Sequence, residues 1–243
     1  GFRAGERVAI VGRNGSGKST FVRHLNGLLR PAEGSLLVDG EDVRKRRVAE
    51  LAGLVGLVFQ DPDRQIFAGT VRKEVAFGAR NLGRRGAELD RAVDAALAAV
   101  GLEGEAATNP YDLGYSRRKL LALASILAME TPVVVLDEPT TGQDARGNAR
   151  IQGIVRELAA AGRTVIAISH DMRFVAETFE RVVVMCGGRV ILDAPPGEAF
   201  AAANSELLAS TFLEPPLAAR VAARLGLSGI ATEAALIEAL AQS

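Results

Sequence analysis

The sequence predicts an α/β fold: a mixed central sheet flanked by helices, with an inserted helical subdomain and a helical appendage at its C-terminal end. Three observations predict it. Short runs of consecutive, largely β-branched apolar residues recur at 7–11, 54–59, 133–136 and 164–169, as in strands buried on both faces. Stretches of helical pattern separate these runs, as crossovers between parallel strands require. Polar residues stand directly after them, namely Gln60, Asp137, Glu138 and His170. In open α/β sheets that is where ligands bind.

The whole chain bounds the reading. Its 243 residues suit one α/β domain or somewhat more, and 48% hydrophobic residues are enough for a real core. Lys+Arg and Asp+Glu both number 29, a net charge of zero, which gives no electrostatic reason to expect nucleic acid as a partner. The single cysteine excludes an internal disulfide framework, making a reducing cytosol the default setting. No uninterrupted apolar run is long enough to span a membrane.

The first strand, residues 7–11 (RVAIV), runs into Gly12, Arg13, Asn14, Gly15, Ser16, Gly17, Lys18, Ser19 and Thr20, and a helix is predicted over 18–29. This fits G-x-x-x-x-G-K-[ST] in its strand–turn–helix setting, the phosphate-binding P-loop. Glycines let the backbone turn tightly and offer successive N–H groups to phosphate oxygens, and the helix N-terminus adds partial positive charge. Lys18 would reach the β- and γ-phosphates and the Ser19 hydroxyl would hold Mg²⁺. Because such domains ordinarily carry strands ahead of this one, further residues are expected before Gly1.

Residues 30–34 form a turn, and 35–38 read as a strand ending in the hairpin signal Asp39-Gly40. The basic run 44–47 reads as a solvated helix face. The second buried strand, 54–59, delivers Gln60, placed to reach Mg²⁺ or an attacking water. Thr70 is a plausible N-cap for a helix carrying Val71, Val75 and Phe77, and 89–100 is an amphipathic helix closed by Gly101. These helices interrupt the strand–helix alternation, which predicts a helical subdomain over about 70–130. A further helix, 116–129, stops before Pro132.

The strand at 133–136 ends in Asp137-Glu138, the Walker B pattern. Asp137 would hold Mg²⁺ directly or through water, and Glu138 would orient or deprotonate water beside the γ-phosphate. A turn through Asp144 leads to a helix over 145–161, and the fourth strand, 164–169, delivers His170, placed to bond the γ-phosphate. His24, inside the P-loop helix, reads as structural. A hairpin pairs 181–186 with 189–193 around Gly187-Gly188, and a helix covers 198–203. The alanine- and leucine-rich tail, 205–243, is helical in pattern, broken at Pro215-Pro216 and 227–229. It carries an apolar face to bury on the domain or on a second subunit.

In this order the motifs resemble the ATP-binding cassette (ABC) ATPases over essentially the whole chain, a P-loop NTPase fold. Residues 12–19 look like Walker A, Gln60 like the Q-loop glutamine, 133–138 like Walker B, 141–144 with Asp144 like the D-loop, and His170 like the switch histidine. A narrower resemblance lies in Gln60 to Phe67, Thr70-Val71 and Val75 to Gly78, which are similar to the same segment in energy-coupling factor ATPases. Those are the ATPase subunits of vitamin and transition-metal uptake transporters. The resemblance implies an ABC ATPase domain over 1–204 and a dimerising extension over 205–243. It also implies ATP and Mg²⁺ as ligands, a second ATPase subunit, a transmembrane coupling protein with a substrate-binding membrane component, and a place on the cytoplasmic face of the membrane. The adenine-stacking aromatic would precede Gly1.

One motif departs. Where the family has L-S-G-G-Q, this chain has Leu113, Gly114, Tyr115, Ser116 and Arg117. In the family this signature completes the partner's ATP site. Losing the serine hydroxyl removes one bond to a charged group, worth about 1.5–3 kcal/mol, and Tyr115 adds a side chain where backbone should approach closely. Arg117 or Arg118 is placed to supply charge to the γ-phosphate instead. The mismatch between an intact Walker B and an altered signature favours a heterodimer. The alternative is an ATP-binding regulatory subunit that hydrolyses little by itself.

Overall fold

The computed structural model describes residues 1–242. Its centre is a six-stranded sheet in the order β4-β5-β6-β1-β7-β8. The chain enters through β1 (Arg7–Val11) and α1 (Lys18–Leu25), then a small antiparallel pair, β2 (Leu37–Val38) and β3 (Glu41–Asp42). It continues through α2 (Val48–Leu54) and β4 (Val55–Val58). Three helices follow, α3 (Val71–Asn81), α4 (Gly86–Val100) and α5 (Tyr115–Leu127), before β5 (Val133–Asp137). The alternation resumes with α6 (Ala145–Ala160), β6 (Thr164–Ile168), α7 (Met172–Thr178), β7 (Arg181–Cys186) and β8 (Arg189–Ala194). The chain ends in short helices, α8 (Pro196–Ala199), α9 (Ser205–Ser210), α10 (Leu217–Arg224) and α11 (Glu233–Ala241).

The sheet is mixed because only β8 runs antiparallel, joined to β7 by the Gly187-Gly188 turn. All other pairings are parallel. Side chains alternate between two cores, as the strand period dictates. Ala9, Val11, Val134, Leu136, Val165 and Ala167 face the larger cluster, with α4, α5 and α6. Ile10, Val135, Ile166 and Ile168 face the smaller one, with α1 and α2. The register sets Ile10 and Asp137 both opposite Ile168. The carboxyl ends of β1, β5 and β6 therefore finish level, and the loops that follow them converge.

The α3–α5 helices pack on one another and on the sheet through Val75, Ala79, Val93, Leu97 and Leu121, all fully or almost fully buried. Thr70 caps α3 by accepting the Lys73 N–H. Leu208, Leu213, Ala219 and Ala231 join the larger core, so the tail buries part of its apolar face on this chain.

Several local expectations are corrected. The P-loop helix stops at Leu25, because Gly27 takes φ +76° and its N–H bonds the His24 carbonyl. The strand expected at 35–38 is only Leu37–Val38, and its hairpin partner is Glu41–Asp42. The basic run 44–47 is no helix face: it spans a short 3₁₀ turn and the lead into α2, and Arg44, Arg46 and Arg47 pair with Asp42, Glu41 and Glu50. Phe77 does lie on the Thr70-capped helix, where its ring is 46% exposed and edge-on to Phe67 at 4.7 Å. The helix expected over 198–203 shrinks to a single turn followed by a 3₁₀ turn.

Leu121 is wholly buried between the helices and the sheet. Leu121→Ala is expected to lower unfolding free energy by about 3 kcal/mol, measured by urea denaturation; a loss under about 1 kcal/mol contradicts the packing described.

Candidate functional site

The converging loops line a cleft of about 470 Å³ with Asn14, Gly15, Ser16, Gly17, Lys18, Ser19, Thr20, Gln60, Asp137, Glu138, Ile168 and His170. A second cleft of about 480 Å³ lies between the N-terminal segment and β8. Within it Arg181 bonds both Glu6 and Asp193.

Gly12 carries the turn off β1 at φ +149°, and a Cβ there would meet the Met185 carbonyl oxygen at 2.2 Å. Only glycine fits beneath the strand that carries Met185. The Gly12 carbonyl in turn accepts the Lys18 ammonium at 2.6 Å, and the Arg13 carbonyl accepts it at 3.0 Å. Gly17, at φ +99°, is the N-cap of α1, so the first N–H groups of that helix open on the cleft. Burial pushes the Lys18 ammonium below its ordinary pKa, while Glu138 and Asp137 pull it back up.

Asp137 ends β5, 6% exposed. Burial raises its pKa; the Ser19 hydroxyl beside it, then Arg23, Lys18 and Lys119, oppose the rise. Its Oδ1 is buried without a hydrogen-bond partner. Such an orphaned oxygen next to a hydroxyl, among cationic and phosphate-binding groups, fits an oxygen-coordinated divalent cation such as Mg²⁺. Gln60, exposed at the end of β4, lines the same cleft.

Glu138 sits at φ +51°, an uncommon conformation for a residue with a side chain. Its N–H bonds the Ile168 carbonyl, and its Oε2 lies 2.7 Å from His170 Nδ1. Burial raises the Glu138 pKa, and His170 is the main group opposing that rise. The exposed His170 ring engages Glu138 through Nδ1 and lines the same cleft. His24 bonds the Thr20 carbonyl of its own helix.

The segment 114–117 lies apart from this cleft, at the start of α5, with Gly114 as N-cap. Arg117 pairs with Glu105 at 2.5 Å and Arg118 with Asp63 at 3.0 Å. Ser116 donates to Gln143 Oε1, and Asp144 caps α6 by accepting the Gly147 N–H. One residue escaped sequence reasoning altogether. Lys119, 4% exposed, donates from Nζ to the Glu138 and Thr141 carbonyls. The available signal was a lysine on the apolar face of an otherwise buried helix.

Fold and cleft together define a nucleotide-binding cassette, and comparison with known proteins agrees. Residues 1–141 match the ABC transporter family, and the chain belongs to it. It is 42% identical to an energy-coupling factor transporter ATP-binding protein, EcfA, of Methanothermobacter thermautotrophicus, over 96% of this chain and 75% of that protein. A putative ABC transporter ATP-binding protein of Methanosarcina acetivorans is 43% identical over 94% of this chain, which spans 37% of that relative's length. Among solved structures, cbiO1 of Clostridium perfringens, part of the ABC transporter complex cbiONQ, superposes with TM-score 0.75 at 37% identity, covering 86% of this chain and 84% of that one. An ATP-binding cassette solved as a dimer in a post-hydrolysis state with ADP and Pi gives TM-score 0.73 at 27% identity, over 80% and 87%.

Gly12→Ala forces a Cβ into the Met185 carbonyl and displaces the carbonyl that holds Lys18. Nucleotide affinity is expected to fall at least about tenfold, read by fluorescent-ATP titration; unchanged affinity contradicts this account of the loop.

Proposed function

We propose that this chain binds and hydrolyses ATP as one ATPase subunit of a membrane uptake transporter of energy-coupling factor type, importing a vitamin or a transition-metal ion. The observation that carries the ATPase reading is the Glu138–His170 pair at 2.7 Å, at the mouth of the cleft that holds Lys18 and Asp137. The loop 12–20 binds the phosphates: Lys18 supplies positive charge, and the N–H groups at the start of α1 supply donors. Ser19, Asp137 and Gln60 would hold Mg²⁺, whose charge neutralises phosphate oxygens when bound. Glu138 is the group that orients or deprotonates the attacking water, its carboxylate kept charged and aimed by His170.

The transporter reading is supported by relatives described as energy-coupling factor and cbiONQ components. An apolar groove of about 370 Å³ lies between α1–α2 and α3–α5, lined by Leu28, Val48, Phe67, Phe77, Leu82 and Met129. It is the surface on which helices of a membrane coupling protein would dock, with the substrate-binding membrane component beyond, at the cytoplasmic face of the membrane. No helix among the described residues is long and apolar enough to cross a membrane.

The family resemblance and the dimeric relative support a second ATPase as partner. We favour a heterodimer, because 114–117 lacks the signature serine while Glu138 and His170 are in place. The region 1–204 then acts as the ATPase domain, with the helical subdomain near 70–130, and 205–243 as the dimerising extension. Its apolar residues Leu217, Leu225, Ile237 and Leu240 stay at least half exposed. The altered signature also suits a regulatory subunit with little hydrolysis, but the Glu138–His170 geometry favours hydrolysis.

Glu138→Gln is expected to reduce ATP turnover by about 100-fold or more while leaving ATP affinity within about twofold, read by phosphate release and equilibrium titration on the assembled ATPase. Turnover that survives the substitution removes Glu138 from this role. Ser19→Ala is expected to raise the Mg²⁺ concentration for half-maximal turnover; an unchanged requirement takes Ser19 out of the metal site.

A further inference from the structure

A cluster outside the cleft ties the start of α5 to the turn that carries Glu138. Lys119 is buried on α5, and its Nζ donates to the carbonyl of Glu138 and, at 3.1 Å, to that of Thr141. One turn earlier, Ser116 Oγ donates to Gln143 Oε1 at 2.8 Å, and Gln143 Nε2 donates back to the Ser116 carbonyl at 3.0 Å. The Tyr115 ring covers Gly142, where an added Cβ would meet it at 2.8 Å. Three side-chain contacts therefore join the first turns of this helix to residues 138–143.

A buried ammonium is costly unless its hydrogens are bonded. Burial lowers the Lys119 pKa to about 8, against the pull of Glu138, Asp137 and Asp61. The polar gain offsetting that cost falls at one place, the two carbonyls that bracket the turn 138–141. Glu138 needs such support, because its φ of +51° persists only where surrounding bonds hold it. Its N–H is fixed by Ile168 and its carbonyl by Lys119. With both ends of the residue pinned, the side chain has a fixed base from which to meet His170.

We propose that Lys119 is a positioning residue for hydrolysis: it holds the backbone of Glu138 and Thr141 so that the Glu138 carboxylate is aimed into the nucleotide cleft, and with Tyr115 and Ser116 it makes the start of α5 move as one body with that turn. The inference rests on the reading of Glu138 as the hydrolytic group. Its mechanical content is that Tyr115, Ser116 and Lys119 act within their own subunit, whatever Gly114 offers to a partner.

The test uses the full chain assembled with its partner ATPase. Lys119→Met keeps the length and apolar body of the side chain and removes the donors. The expected result is a kcat loss of about tenfold to a hundredfold with KM and ATP affinity within about twofold. Lys119→Arg, which keeps a charged donor, is expected to recover part of the loss. If Lys119→Met fails to fold, Lys119→Gln, too short to span both carbonyls, carries the same expectation. A kcat within twofold of the parent overturns the proposal, and so does a loss accompanied by an equal rise in KM. In a Glu138→Gln background, Lys119→Met is expected to add nothing, and a further additive loss overturns the link to Glu138. Should Glu138→Gln alone retain turnover, the reading of Glu138 fails instead, a different result from a silent Lys119→Met.

Discussion

The buried Lys18 ammonium, held by the carbonyls of Gly12 and Arg13 and attracted by the buried Asp137 and partly buried Glu138 carboxylates, is the interaction around which this molecule is arranged. No member of the set is comfortable alone. Burial works against the charge on Lys18, on Asp137 and on Glu138; Lys18 and Asp137 support each other, Glu138 supports Lys18, and His170 supports Glu138 against the like charge of Asp137. That balance demands that β1, β5 and β6 end at one level and that Gly12 pass beneath Met185 without a side chain. The parallel sheet and its two cores supply that alignment. A site so built keeps its charges and dipoles oriented before any phosphate arrives, which is what preorganised electrostatic stabilisation requires.

The second organising fact is the altered segment at 114–117. Read alone, it is a damaged signature: no serine hydroxyl, a tyrosine in place of a glycine, and arginines that suggest replacement charge. In the structure those side chains make contacts within the chain. Glu105 and Asp63 take the arginines, while Tyr115, Ser116 and Lys119 grip the turn between Glu138 and Gln143. These contacts tie the start of α5 to the turn that carries Glu138 in the same chain. An intact phosphate loop and Glu138–His170 pair beside this altered segment are the basis for proposing one good half-site and one weak one.

Much of this was legible in the sequence, for physical reasons. The strands announced themselves because parallel strands are buried on both faces and must be apolar throughout, so β1, β4, β5 and β6 were located to within a residue or two. The cleft residues were legible because each follows such a strand directly. What was hidden depends on partners far along the chain. Nothing local says that Arg118 meets Asp63, that Gln143 meets Ser116, or that the lysine at 119 is buried against carbonyls beyond the next strand. Phe77 faces outward beside Phe67, while α3 buries Val71, Glu74, Val75, Ala76 and Ala79, a choice of face the local pattern left open. The early end of α1 turned on Gly27, whose left-handed backbone the apolar pattern around it concealed.

The central claim is that this chain's nucleotide site is one sound half, completed by a different subunit. The most direct measurement is ATP turnover by the purified chain alone and after mixing with an ATPase subunit that carries an intact L-S-G-G-Q segment. The account predicts weak turnover alone and strong turnover on mixing, lost when the serine of the added subunit's signature is replaced. Full, cooperative ATP hydrolysis by a homodimer of this chain would contradict it.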